Sequence, residues 1–304
     1  MAARSSKTKV APAALGAAGA IPLALALTVG NLTPGGGGST GVNGDPNASV
    51  KCEDGIENFR GCHPTYQTGC SGSGKYDGYL NFLKNQEPAR SSTPVKLLTS
   101  AADYQDLNSR TPTDLRTSNH FDLKDDLAKL GERQEYGVIG YLYYVKQEGA
   151  ESSNCELTSP DDTDFHIGIG FDKSVAASVA TPSKETAADT LAVKETAVVV
   201  EMTPQYRADF APEWTTEALK KILGRQVRVL GQLMADNEHN NTKDNCGLPG
   251  HGPACWRASI WELHPVTSFQ FCKVDDCTND PASWTDLGSD SVSASPTPDQ
   301  SSKK

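Results

Sequence analysis

Apolar and polar residues alternate through the second half of the chain in the way that predicts β-strands. Alternation is strict in residues 164–171 (DFHIGIGF), and four other segments are rich in β-branched and aromatic residues. The five predicted strands span residues 136–146, 164–171, 197–203, 226–235 and 258–271. Between the third and fourth strands, residues 213–223 have apolar positions at helical spacing, and Gly224 ends the helix. The predicted order is therefore three strands, one helix and two strands.

This order of elements is that of the OB-fold, a five-stranded Greek-key barrel. We therefore predict a mainly β protein with a five-stranded, OB-fold-like barrel of β-β-β-α-β-β order. An α+β sandwich with the same elements is the alternative. The residues that precede the barrel contain short helical segments and the closely spaced Cys62 and Cys70. They predict an N-terminal helical cap that disulfides staple.

The two ends of the chain differ from this body. Residues 1–9 are basic and the apolar residues 10–30 carry no charge, which is typical of a cleaved signal peptide or of an uncleaved N-terminal anchor. The predicted organisation is a leader over residues 1–30, a Gly-rich flexible linker over 31–50, the helical cap over 51–130, the barrel over 131–284 and a disordered tail over 285–304. We therefore expect the body to be exported from a bacterial cell, either secreted or tethered at the outer face of the membrane.

Net charge narrows the classes of partner. The 304 residues carry a formal net charge of −10, and acidic surfaces repel the phosphates of nucleic acids. Nucleic acid is therefore not expected as a partner unless a metal ion intervenes. Tyr141, Tyr143 and Tyr144 on the first strand could stack on bases, but adjacent strand residues point to opposite faces. At least one of these tyrosines is therefore predicted to lie in the core.

The cysteine content adds a prediction about covalent links. The chain has eight cysteines, and an even number in an exported protein indicates disulfides. The local spacing predicts two of the pairs, Cys246 with Cys255 and Cys272 with Cys277.

A resemblance to known proteins rests on six phrases that span residues 76–271. They are YDGYLNFLKN, GVIGYLYYVKQEGAESSNCEL, DDTDFHI, VVVEMTPQYR, GRQVRVLGQLMADNEH and WRASIWELHPVTSF. These phrases are similar to those of an uncharacterised family of exported bacterial proteins with an OB-like barrel and a Trp-Glu-Leu-His-Pro strand motif. The resemblance implies the barrel and its strand order but no reaction. Where relatives have Cys-Asn-Cys after the first strand, this chain has Ser153-Asn154-Cys155, which argues against a local metal or redox role.

Acidic and imidazole side chains recur on one face of the predicted barrel. In the strand order that the resemblance implies, the third strand lies between the second and the fifth, so that five residues converge on one outward-facing surface patch. These predicted metal ligands are Asp164, His166, Glu201, Glu262 and His264. Histidine nitrogens and carboxylate oxygens suit Zn²⁺ or another divalent transition ion. The alternative is a solvated polar face with cross-strand pairs.

The loop between the fourth and fifth strands adds further candidate residues. In OB-folds this loop borders the ligand-binding face, and here it contains Asp236, His239 and His251, which we predict to bind ligand. The predicted Cys246–Cys255 disulfide would make the loop rigid.

The sequence predicts a binding module of unknown ligand with a divalent-metal site on the barrel face. A metal-dependent hydrolase of phosphodiesters or glycans, which uses the same His, Glu and Asp cluster, is the alternative. The sequence contains no H-E-x-x-H signature that would indicate which reaction such an enzyme catalyses. A purely structural envelope protein is the third hypothesis.

Overall fold

The computed structural model describes residues 78–86, 88, 94–115, 120–154, 157–180, 191–278 and 281–289. The strands are β1 (Lys96–Leu98), β2 (Glu135–Gln147), β3 (Phe165–Gly170), β4 (Val198–Met202), β5 (Gln226–Ala235), β6 (Trp261–Cys272) and β7 (Trp284–Asp286). The α-helices are α1 (Gly78–Lys84), α2 (Ala101–Arg110), α3 (Lys124–Leu130), α4 (Lys173–Val179), α5 (Leu191–Lys194), α6 (Pro204–Phe210) and α7 (Thr216–Lys220).

Strands β2 to β6 close into a five-stranded mixed barrel. Strand β2 pairs antiparallel with both β3 and β5, β3 pairs antiparallel with β4, and β5 pairs antiparallel with β6. The barrel closes where β4 runs parallel to β6, with Val200 opposite Leu263. The outer strands β1 and β7 pair with β2 and β6. The prediction of a mainly β, five-stranded barrel is confirmed.

The inward-facing residues of the barrel strands form the main hydrophobic core. Ile167 and Ile169 of β3 are fully buried in it together with Val200 and Leu263. Burying each such side chain stabilises the fold by roughly 1.5–3 kcal/mol. Because strand residues alternate between faces, the polar neighbours of these residues must lie on the outer face of the barrel.

The connections between β3 and β5 contain more helix than the sequence predicts. Helices α4 and α5 lie between β3 and β4, and α6 and α7 lie between β4 and β5. Helix α6 begins at Pro204, and Thr203 caps it by accepting a hydrogen bond from the Tyr206 amide. The α4 segment reads KSVAASV, which is too short for a clear amphipathic period.

A register shift in β2 changes the expected positions of two tyrosines. The pairing with β3 shifts between Leu142 and Tyr144, and Tyr143 and Tyr144 then both belong to an apolar cluster outside the main core. The prediction that at least one of the tyrosines is buried is confirmed, but a bulge interrupts the alternation that would place Tyr143 and Tyr144 on opposite faces. Gly168 makes this possible, since a Cβ atom there would overlap the Tyr144 ring. Both tyrosines are buried and offer no stacking platform.

Both predicted local disulfides, Cys246–Cys255 and Cys272–Cys277, are present, and such links are typical of an oxidising, extracellular compartment. In the part of the chain that the structure describes, no helix is long and apolar enough to cross a membrane. The predicted leader and linker, residues 51–77 of the predicted cap and residues 290–304 of the predicted tail lie outside the described residues. So do the other four cysteines, Cys52, Cys62, Cys70 and Cys155.

Candidate metal centre and adjoining cleft

The acids and histidines of the predicted patch are buried rather than exposed to solvent. They are at most 1% exposed, except for His166 at 7%. Three segments cover the outer face of the barrel at this point: helix α1, residues 148–154 and the loop 236–258. The Gln232 amide, for example, donates to the carbonyls of both Leu83 in α1 and His264 in β6. These residues therefore lie on the outer face, as alternation predicts, but they do not form the solvated polar face of the alternative.

Asp164, Glu201 and His264 form a compact donor cluster beneath these segments. Each residue offers one ligand atom, and the three atoms lie within 4.8 Å of one another. The His264 Nδ1 atom is 3.3 Å from Glu201 Oε2, and its Nε2 atom is 3.6 Å from Asp164 Oδ2. Strand pairing explains the convergence, because β4 lies between β3 and β6.

Several polar atoms of this cluster are buried without a hydrogen-bond partner. Both carboxylate oxygens of Asp164, Oε2 of Glu201 and Nε2 of His264 find no partner among the residues that the structure describes. An unsatisfied buried polar group costs about 1–3 kcal/mol, and more when it is charged. Native proteins rarely leave such groups without a protein, water or ion partner. The three residues could therefore hold a metal ion.

The pKa values of the carboxyl groups show how unfavourable the charged cluster is without a cation. Burial raises the pKa of Asp164 to about 7, and repulsion from Glu151 adds to the effect, while His264 opposes it. Burial would also raise the pKa of Glu201, but His166 and His264 together outweigh burial and lower it. Asp164 is thus the member of the cluster that most lacks a positive partner.

His166 has a different role from the one that the sequence predicts. Its Nδ1 atom lies 2.9 Å from Glu148 Oε1, and its Nε2 atom lies 2.8 Å from Glu201 Oε1. Burial opposes its charge, but Glu201 and the bond to Glu148 outweigh burial and raise the pKa of His166 well above its ordinary value. Because both ring nitrogens donate to carboxylates, His166 orients Glu201 and has no free lone pair for a metal.

Glu262 is likewise occupied by a protein partner. Its Oε2 atom forms an ion pair with Arg257, and its Oε1 atom accepts from His264 Nδ1 at 3.2 Å. Arg257 is fully buried and also contacts Asp236 Oδ2 at 3.0 Å. Sequence reasoning missed Arg257, because no local pattern marks an arginine in a loop as buried.

The predicted ligand-binding residues of the loop divide into two groups. Asp236 is buried and accepts from Arg257 and from His239 Nδ1, so both Asp236 and His239 belong to the ionic network around the cluster. His251 instead is exposed and lies in the disulfide loop, with Nδ1 3.3 Å from Cys255 Sγ.

A cleft of about 760 Å³ opens above this network. His166 and Trp256 both line it, and their rings stack with centroids 5.6 Å apart and an interplanar angle of 14°. The hydroxyl of Tyr144, another lining residue, is buried without a hydrogen-bond partner among the described residues. Three lysines, Lys146, Lys194 and Lys220, also line the cleft. An aromatic wall with polar groups beside it is the usual composition of a small-molecule site.

The chain matches no protein-family model and no curated protein.

Proposed function

We propose that this protein is an exported binding module on an OB-fold-like barrel, with a divalent metal ion held by Asp164, Glu201 and His264. The ligand binds in the cleft lined by His166 and Trp256. The barrel's strand order, with its parallel β4–β6 pair, supports the OB-fold assignment. The two disulfides and the basic, then apolar, N-terminal sequence support export.

The observation that carries the metal site is the convergence, from all three residues, of buried donor atoms that have no hydrogen-bond partner among the described residues. The charge balance of the surrounding network supports it. Seven carboxylates lie in this network: Glu148, Glu151, Asp164, Glu201, Asp236, Glu238 and Glu262. Apart from His264, the basic side chains that pair with them are Lys84, Lys146, His166, His239 and Arg257. Even with all five charged, two negative charges remain, which one divalent cation bound through neutral His264 would neutralise.

The donor set favours Zn²⁺ or another transition ion over Mg²⁺ or Ca²⁺, because an imidazole nitrogen joins the two carboxylates. All three donors are at most 1% exposed. A catalytic zinc keeps a position open for water or substrate, whereas a structural zinc is enclosed. The enclosure therefore supports a binding module whose metal orders the barrel face.

The alternative, a metal-dependent hydrolase of phosphodiesters or glycans, is supported by His166. This imidazole lines the cleft and lies between Glu148 and Glu201, where it could donate a proton to a leaving group. The enclosed position of the cluster argues against the direct access of substrate to the metal.

Metal content and metal-dependent unfolding test the proposal. The full chain, expressed with its disulfides intact, is analysed for bound metals, stripped with a chelator and titrated with Zn²⁺ or Mn²⁺ while its melting temperature is followed. We expect one ion per chain and a rise in the melting temperature. Asp164→Asn and His264→Gln should abolish both effects, whereas His251→Gln, a change at an exposed histidine, should leave them unchanged. No stoichiometric ion and no thermal shift in the wild type would overturn the metal site.

A second assay separates the binding module from the hydrolase. The metal-loaded protein is incubated with a panel of phosphodiesters and oligosaccharides, and product release is measured beside binding. Binding that Trp256→Ala weakens, without product, supports the binding module. Turnover that His166→Gln abolishes would support the hydrolase instead.

A further inference from the structure

The disulfide loop, residues 246–255, contains a second group of potential metal ligands, which is separate from the buried cluster of Asp164, Glu201 and His264. Cys246, His251 and Cys255 each offer a donor atom, and these atoms lie within 4.8 Å of one another. His251 is exposed and Cys246 is partly exposed, whereas Cys255 is buried. The group can therefore be reached from solvent on one side. Among the described residues, no comparable group includes Cys272 or Cys277.

The spacing of the donors matches a tetrahedral zinc site. Zinc–sulfur bonds of about 2.3 Å and zinc–nitrogen bonds of about 2.0–2.1 Å place sulfur and nitrogen roughly 3.6 Å apart at a tetrahedral angle. The His251 Nδ1 atom is already 3.3 Å from Cys255 Sγ. The two sulfur atoms are joined in the disulfide, and reduction frees both of them to share one ion with the His251 nitrogen.

We propose that Cys246, Cys255 and His251 bind Zn²⁺ once the disulfide is reduced, so that a metal link replaces the covalent one. A dithiol reductant supplies two electrons and two protons, is itself oxidised to a disulfide, and leaves two cysteine thiols. Zinc then displaces both thiol protons and takes the two thiolates and the neutral imidazole as ligands. The fourth position is open to water or another donor.

Replacing the disulfide with a zinc link would affect the cleft, because the loop is continuous with residues that line it. Trp256 and Arg257 follow Cys255 directly, and they reach the cleft wall and the buried ionic network. The Cys246 amide also donates to the Arg257 carbonyl at 2.8 Å. A zinc link would hold the two ends of the loop together in the reduced protein, so that Trp256 stays stacked on His166.

Cobalt titration tests the proposal, because cobalt–thiolate bonds absorb in the near ultraviolet whereas carboxylate and imidazole ligands do not produce that band. The full chain is reduced with dithiothreitol, freed of reductant without oxygen, and titrated with Co²⁺. The wild type should gain the thiolate band, and the Cys246→Ser/Cys255→Ser variant should lose it. The matched Cys272→Ser/Cys277→Ser variant should keep it. His251→Ala should weaken cobalt binding roughly tenfold or more, because removing even a group that only hydrogen-bonds to a metal ligand typically lowers metal affinity by at least that factor.

Zinc protection from alkylation provides a residue-specific readout that does not depend on the double variant folding. In the reduced wild type, stoichiometric Zn²⁺ should slow the labelling of Cys246 and Cys255 by iodoacetamide, as mapped by mass spectrometry, and His251→Ala should remove this protection. Equal labelling with and without zinc, or an unchanged cobalt band in the Cys246→Ser/Cys255→Ser variant, would overturn the proposal. The oxidised protein tests the buried cluster separately, because its two sulfur atoms are not available as thiolates.

Discussion

Replacing Arg257 with methionine is expected to remove a large part of the stability of this protein. The guanidinium is fully buried and contacts three groups: its Nη1 donates to Asp236 Oδ2 at 3.0 Å, its Nε donates to the Ser259 carbonyl at 2.8 Å, and its Nη2 pairs with Glu262. Methionine fills much of the volume but cannot donate. Glu262 would lose its main cation, and Asp236 would lose one of the three cations that stabilise its charge.

The expected magnitude follows from this loss of charge compensation. Removing one partner of a buried ion pair typically costs about 3–5 kcal/mol, because the remaining charge stays buried. The free energy of unfolding of a domain is about 5–15 kcal/mol, so against a value of about 10 kcal/mol, in the middle of this range, the variant would lose roughly a third to a half. The repulsion between Asp236 and Glu262, which Arg257 now separates, acts in the same direction.

The pH dependence of the free energy of unfolding distinguishes the loss of charge compensation from a loss of packing. In the wild type, burial opposes ionisation, but His239, Lys84 and Arg257 hold the pKa of Asp236 well below its ordinary value. Its contribution to stability is therefore fully present above about pH 4 and is lost only at lower pH. In the variant both carboxyl groups would take up protons more readily. The difference in unfolding free energy between the wild type and the variant should be largest at pH 7 and should narrow as the pH falls toward 4.

Urea unfolding of the metal-stripped, oxidised protein measures this effect. Arg228→Met is the matched control, because Arg228 is half-buried and bonds the neutral Gln270, for which we expect a loss of about 1 kcal/mol. A loss below about 1 kcal/mol for Arg257→Met at pH 7, or a difference that does not change with pH, would refute the reasoning.

Three further predictions concern the cluster, the disulfide and the barrel face. In chelator at pH 8, Asp164→Asn should stabilise the protein against heat, because burial raises the pKa of Asp164 to about 7 and its charged form is then unfavourable; an equal melting temperature at pH 8 would contradict this. Cys246→Ser/Cys255→Ser opens a loop with a sequence separation of 9, and urea unfolding should show a loss of about 2.5–3 kcal/mol. Gly168→Ala should lower the free energy of unfolding by about 1–3 kcal/mol, because the new Cβ displaces the Tyr144 ring. Adding Tyr144→Leu to this variant should recover part of the loss. Losses of unfolding free energy that are simply additive in the double variant would argue against this contact.

Local pattern was enough to predict the barrel strands and two of the covalent links. Alternation with a period of two identifies a strand and sorts its residues between faces, which is why His166, Glu201 and His264 could be placed together on the outer side. The pairs Cys246–Cys255 and Cys272–Cys277 are close in sequence, so that few alternatives compete. The bulge that turns Tyr143 and Tyr144 to one side was not predictable, because it depends on the room that the glycines of β3 provide.

The tertiary structure decided whether the polar face of the barrel is solvated or buried. Periodicity reports only on which side of its own strand a residue lies, whereas burial depends on segments that are distant in the chain. Here α1 and the loop 236–258 cover the face and bring Lys84 and Arg257 against its acids. The sequence by itself therefore determined which donors share a face. Long-range packing buried these donors and left both carboxylate oxygens of Asp164 without a hydrogen-bond partner among the described residues, because burial is a property of the assembled layers and not of any one strand.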